Sequence, residues 1–245
     1  MATDTTMTTP SSPPGAVRWW RRPWIAPLAI ITAIFLATAL PRYVGLDPSR
    51  ALMVAGDVDD RGPAYYPALV THIFFGSVML SAAVLQLWPW LRINHPRVHR
   101  WSGRVYVMTA IPTGLAALVT AQYPTAGPNQ QLANTFLAVL LVTFTLLGYR
   151  AVRQRRFADH RQWMIRSTAL AFSIVANRFW GVVLVIIFAP SFDGDVASSP
   201  EALSAAGASA WVSWVVNLLF AEWWIHKYPK IRDRARARKV QAAAV

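Results

Sequence analysis

Four clusters of basic residues alternate with long apolar stretches, and this alternation leaves the chain few folds to choose from. Arg18, Arg21 and Arg22 precede the first stretch. Arg92, Arg97, Arg100 and Arg104 follow the second. Arg150, Arg153, Arg155, Arg156, Arg161 and Arg166 follow the fourth, and a run from Lys227 to Lys239 follows the sixth. Of the 24 Lys and Arg, only Arg42, Arg50, Arg61 and Arg178 fall elsewhere. The apolar segments lie near 24–41, 64–90, 104–121, 131–149, 164–189 and 208–226. Each can supply the roughly 17–25 residues with which a helix crosses a hydrocarbon core. Cytoplasmic loops of membrane proteins collect Lys and Arg. The pattern therefore predicts an all-α polytopic membrane protein, a bundle of about six transmembrane helices with both termini in the cytoplasm. The opposite loops hold Asp47, Asp57, Asp59, Asp60, Asp193, Asp195 and Glu201, most of the 11 acids.

Composition agrees. Apolar residues make up 55% and charged residues 14%, and there are 12 Trp, a residue that favours the membrane–water interface. The net charge of +13 sits in the loops between apolar runs, not along one soluble face, so nucleic acid is not the expected partner. The lipid bilayer is. With no Cys, disulfides, thiolate catalysis and Cys-ligated metals are excluded. Three parts are expected: a disordered cytoplasmic tail at 1–23, a membrane domain at 24–226 and a basic cytoplasmic tail at 227–245. A rival reading takes the first segment as a cleavable signal ending at Ala37-Thr38-Ala39.

Ionisable groups inside a bilayer are functional candidates by default. His72 falls about 12 Å into the second segment at the helical rise of about 1.5 Å per residue. It shares a helical face with Gly76, Met79, Ala83 and Gln86, which should look into the bundle. Arg178, beside Asn177, falls at a similar depth in the fifth segment, with no acid at that level. Two readings stay open for each: a packed polar group bonded to carbonyls, or an outer intramembrane site of His72, Asn177 and Arg178 for a quinone, another small molecule or a proton path. Asn217 and Glu222 are the polar residues of the sixth segment. Arg104, Arg166 and His160 are the expected neighbours of Glu222. Pro112 is the one helix interruption read from the residues, and it is tolerable in a bundle, where Thr hydroxyls and neighbouring helices can satisfy the freed carbonyl.

The cytoplasmic edge carries the densest chemistry. His99-Arg100-Trp101-Ser102-Gly103-Arg104 opens the third segment, and His160-Arg161-Gln162-Trp163-Met164-Ile165-Arg166 opens the fifth. A b-type haem needs two imidazoles from facing helices, room for the porphyrin, and cations for its propionates. His99 and His160 can supply the first and Gly103 the second. Arg100, Arg104, Arg161 and Arg166 can supply the third. The alternative is a pair of interfacial histidines that anchor helices. No Ser-His-acid set or metal-ligand spacing points to a hydrolase, and a zinc site from His95 and His99 alone is weak.

The ordered set of His72, Arg92 with His99-Arg100-Trp101-x-Gly103-Arg104-x-Tyr106, His160-Arg161-x-Trp163-Met164-x-Arg166-Ser167, Arg178, Asn217 and Glu222-Trp223 resembles DUF2306, a domain of unknown function in predicted bacterial membrane proteins. The resemblance covers roughly residues 65–225 and leaves out the tails and the 43–63 loop. It implies a multi-helix protein of the bacterial plasma membrane and carries no activity with it. The His-Arg-x-x-Gly stretch is also similar to segments of transmembrane b-type cytochromes, whose two histidine pairs within helices this chain lacks. Three functions follow as expectations: a haem-binding or redox membrane protein, a small-anion or proton-coupled transporter, and a structural partner of another membrane complex.

Overall fold

The computed structural model of the chain describes residues 24–48, 61–189 and 199–227. The tail expected at 1–23 and, beyond Lys227, the tail expected at 227–245 lie outside the described residues, as do most of the loop acids. Among the described residues every regular element is helical: α1 (Ile25–Ala39), a 3-10 turn (Leu40–Arg42), α2 (Tyr65–Leu87), α3 (Pro89–Asn94), α4 (Pro96–Thr120), α5 (Gly127–Arg153), α6 (Phe157–Ala171), α7 (Ser173–Phe188) and α8 (Pro200–His226). Five helical stretches are long and apolar enough to cross a membrane, and α6 with α7, bent by 43° at their junction, makes six where the pair counts as one broken span. The chain is an all-α, multi-pass membrane protein.

Helix starts follow local chemistry. Proline stands at the first or second position of α3, α4, α5 and α8, where its missing N–H costs nothing and its fixed φ suits the helix. Ser199 caps α8, its hydroxyl accepting from the Ala202 N–H at 3.2 Å. That cap starts the helix well before the apolar segment expected from 208, just as Pro96 starts α4 before 104.

Pairs of neighbouring helices build the bundle. The principal packings are α2 along α4, α5 along α6 and α7 along α8, with α4, α5 and α8 joining the pairs. The α1 helix packs more lightly, against α2 and α7. The face of α2 expected to look inward does so: Gly76, Met79 and Ala83 are buried. The core gathers Met79, Leu80, Ala83, Tyr106, Leu170 and Trp214. Within it, Tyr106 Oη and Thr145 Oγ1 each lie 2.7 Å from Ser167 Oγ. Thr145 gives its one proton to the Leu141 carbonyl. Ser167 must then donate to Thr145, and Tyr106 to Ser167. This chain of donors ends on a carbonyl and ties α4, α5 and α6 together.

Pro112 is tolerated inside its helix, as expected for a proline in a membrane bundle. α4 runs unbroken through Pro112, with Thr109 and Thr113 hydroxyls bonding the carbonyls of Val105 and Thr109 at 2.7 Å. Neither hydroxyl meets the Met108 carbonyl, the group that Pro112 leaves without its helical N–H partner. The break falls instead at Phe172, with no Pro or Gly at hand. Phe172 has φ −79° and ψ −1°, and the helical bonds that would return from Ser173, Ile174 and Val175 are not formed. Asn217 of α8 compensates in part, its Nδ2 donating to the Ala169 carbonyl at 3.0 Å.

Candidate functional site

The turns of α4 and α6 near the basic clusters bring His99 and His160 to one end of the bundle. His160 Nδ1 lies 2.8 Å from the Gly148 carbonyl of α5. A carbonyl only accepts, so Nδ1 carries the proton and Nε2 keeps its lone pair. Gly148 permits this close approach: a Cβ there would lie 2.7 Å from Met164 Sδ and 3.4 Å from Trp163 Cβ. His99 is half-buried, and its Nδ1 is buried with no hydrogen-bond partner among the described residues. Arg92, His160 and Arg100 are its neighbours at this end.

Two details of the expected constellation change. Gly103 faces no open slot, because a Cβ there would sit 3.3 Å from Gln86 Oε1. Gln86 fills the space, its Nε2 donating to the His99 carbonyl at 2.7 Å and to Ser102 Oγ at 2.6 Å. Arg166 is not open to an outside anion either. Its fork meets Glu222 of α8, Nε to Oε1 at 2.5 Å and the second terminal nitrogen to Oε2 at 2.9 Å. Trp163 covers its guanidinium face at 4.9 Å. Of the expected neighbours of Glu222, Arg166 is the one that pairs, and His226 Nε2 adds a contact at 3.3 Å. Arg100, Arg104 and Arg161 remain exposed.

Toward the opposite end, His72 Nδ1 lies 3.0 Å from the Thr113 carbonyl of α4. This is the packed arrangement, a histidine tying α2 to α4. Arg178 has other company: its guanidinium carbon lies 5.9 Å from the Phe35 ring centroid of α1. Asn177 is half-buried beside it. The single outer site of His72, Asn177 and Arg178 thus divides among different neighbours.

Residues 69–225 match the family model described as Predicted membrane protein (DUF2306). The chain belongs to this family. No curated protein and no solved structure matches it. The DUF2306 region contains the polar side chains placed above from His72 to Glu222, while α1 with Phe35 lies before it and His226 just after it. Sequence reasoning missed Gln86 as a bridge to α4, and Gly114 and Gly148 as close-approach glycines. Gln86 did carry a signal: it lies two helical turns beyond Met79 on the inward face, and an amide there must find partners. Among the described residues no group of three or more His, Asp or Glu is placed to hold a metal ion.

Proposed function

We propose that the basic end of this membrane bundle is a redox site that takes a b-type haem between His99 and His160. The observation that carries this reading is the state of the two imidazoles. His160 gives Nδ1–H to the Gly148 carbonyl, the outer bond that metal-binding histidines characteristically make, and it leaves Nε2 as a ligand. His99 stands at the same end with a buried ring nitrogen that no described protein group satisfies. The donor set fits a bis-imidazole ligand, and Arg100, Arg104 and Arg161 offer cations at the edge for propionates. Gly103 contributes no cradle. Haem would supply one-electron transfer. The chain's own residues fix one imidazole tautomer, hold the second close by, and surround both with positive charge that stabilises a reduced, more negative site.

A reduced-minus-oxidised visible spectrum of the purified protein, expressed with adequate haem, tests this. A b-type α-band near one haem per chain is expected, lost in His99→Ala and in His160→Ala. Retention of the band in both variants overturns the ligand assignment.

The break in the fifth span favours a second reading, transport of a small anion or proton. Discontinuous helices recur at transporter binding sites because their unwound backbone can meet a substrate. A colourless, folded protein that moves protons or chloride in proteoliposomes, and loses that flux in Asn217→Leu, would put transport first. No flux from the same sample would remove it.

A further inference from the structure

Arg178 stands exposed in the first half of α7, with Ile174, Phe179 and Val182 around it also exposed. On the mildest scale an arginine within a membrane helix costs about 2.5–3.5 kcal/mol unless its charge is met. Among the described residues no carboxylate pairs with it. Phe35 lies under the guanidinium, a stacking that orients the fork without occupying its N–H donors.

Two phenols share this corner. Tyr66 of α2 has a buried Oη with no partner among the described residues. Tyr43, just past the 3-10 turn, is 9% exposed, and both Arg178 and Tyr66 act on it electrostatically. Burial pushes the Tyr43 phenol up, against the opposing pull of Arg42 and then Arg178, so it stays protonated. The groups that converge are therefore all hydrogen-bond donors. Chain neighbours of Phe35 and Tyr43, namely Leu36, Ala37, Leu40, Pro41 and Val44, line a shallow, open apolar depression of about 500 Å³ along this end of α1. Donors beside an apolar depression suit a ligand with an anionic head and a hydrocarbon tail.

We propose that Arg178, with Tyr66 and Tyr43, binds the phosphate of an anionic membrane phospholipid at the corner of α1, α2 and α7, its acyl chain lying along the α1 depression. The long arginine stem lets the fork reach the headgroup level while its Cα stays deeper. A planar guanidinium matches two phosphate oxygens at once, which a quinone oxygen does not offer.

The test uses the full-length chain in detergent, stripped of lipid, with phosphatidylglycerol, phosphatidylcholine or inorganic phosphate added back. Native mass spectrometry reads the adduct and a thermal melt reads the stabilisation. One tightly held phosphatidylglycerol is expected, preferred over phosphatidylcholine. Affinity should fall by about tenfold in Arg178→Gln, the loss of one charge-assisted contact of about 1.4 kcal/mol. Arg178→Lys should retain part of it, and Tyr66→Phe should weaken binding without unfolding the bundle. Equal lipid retention in wild type, Arg178→Gln and Tyr66→Phe overturns the proposal. An Arg178-dependent shift produced equally by inorganic phosphate overturns the lipid assignment. If Arg178→Gln fails to fold, the Lys and Phe variants decide, and unchanged affinity in both counts against the site.

Discussion

Glu222→Ala is expected to destabilise the bundle more than Arg166→Met, although the two substitutions remove the same ion pair. Arg166 has a side chain only 14% exposed, against 36% for Glu222. Removing the carboxylate leaves a sequestered, permanently charged guanidinium stacked on Trp163 with no anion to meet it. Removing the guanidinium leaves a carboxylate that water reaches and that His226 already approaches at 3.3 Å. Breaking a fully buried pair costs about 3–5 kcal/mol. Partial exposure of Glu222 lowers this, and about 1–3 kcal/mol is expected for Glu222→Ala and about 1 kcal/mol or less for Arg166→Met. The double variant should recover part of the loss, because no unmatched charge remains. Thermal or denaturant unfolding in a fixed detergent, arranged as a double-mutant cycle, measures all three. A larger loss for Arg166→Met would show that the pair does not hold α8 to α6 in the way described.

The span count was legible because charge and hydropathy are periodic properties of the chain itself. Basic clusters at alternate loops mark the helix ends whatever the helices later touch. The site was legible in part for the same reason: His99 and His160 lie at like-sided ends of two segments, so any bundle of these spans brings them to one end. What each side chain would touch was not. Arg166, rather than Arg104 or His160, takes Glu222 because α6 and α8 pack, and nothing local announces that packing. The break at Phe172 shows the point most clearly. Ala171-Phe172-Ser173 is unremarkable by helix propensity, and the amide that serves the broken backbone comes from Asn217, far along the chain on α8. Pro112, the residue whose chemistry argues for a break, lies inside an unbroken α4. The early start of α8 could have been read. Ser199-Pro200-Glu201 combines a cap, a first-turn proline and a first-turn acid, a signal that hydropathy alone passes over.

Glycine substitutions give the second large effect, and they separate two positions that look alike in the sequence. Gly76 lies on the inward face of α2, where a small residue can let another helix come close. In the structure a Cβ at Gly76 would meet Thr113 Cγ2 at 3.4 Å, an ordinary contact. At Gly114 of α4 a Cβ would lie 2.4 Å from Val142 Cγ2 and 3.6 Å from the Ala138 carbonyl. Val142 cannot easily turn aside, since a β-branched side chain in a helix has one strongly preferred rotamer. The α4–α5 seam therefore depends on the missing side chain at 114, as membrane helix interfaces generally depend on small residues. Alanine gains about 1 kcal/mol of helix propensity over glycine at either site. Overpacking costs about 1–3 kcal/mol and applies only at Gly114. Gly76→Ala should then be neutral or slightly stabilising. Gly114→Ala should lose up to about 2 kcal/mol, and Gly114→Leu should prevent stable packing of α4 on α5. Because α4 carries His99 and α5 carries the Gly148 carbonyl that holds His160, the same Gly114 variants should weaken any ligand of the imidazole pair, while Gly76→Ala leaves it intact. Melting curves and ligand retention measured on the same preparations check both halves. Equal tolerance at the two glycines would mean that α4 and α5 do not meet as closely as these distances require.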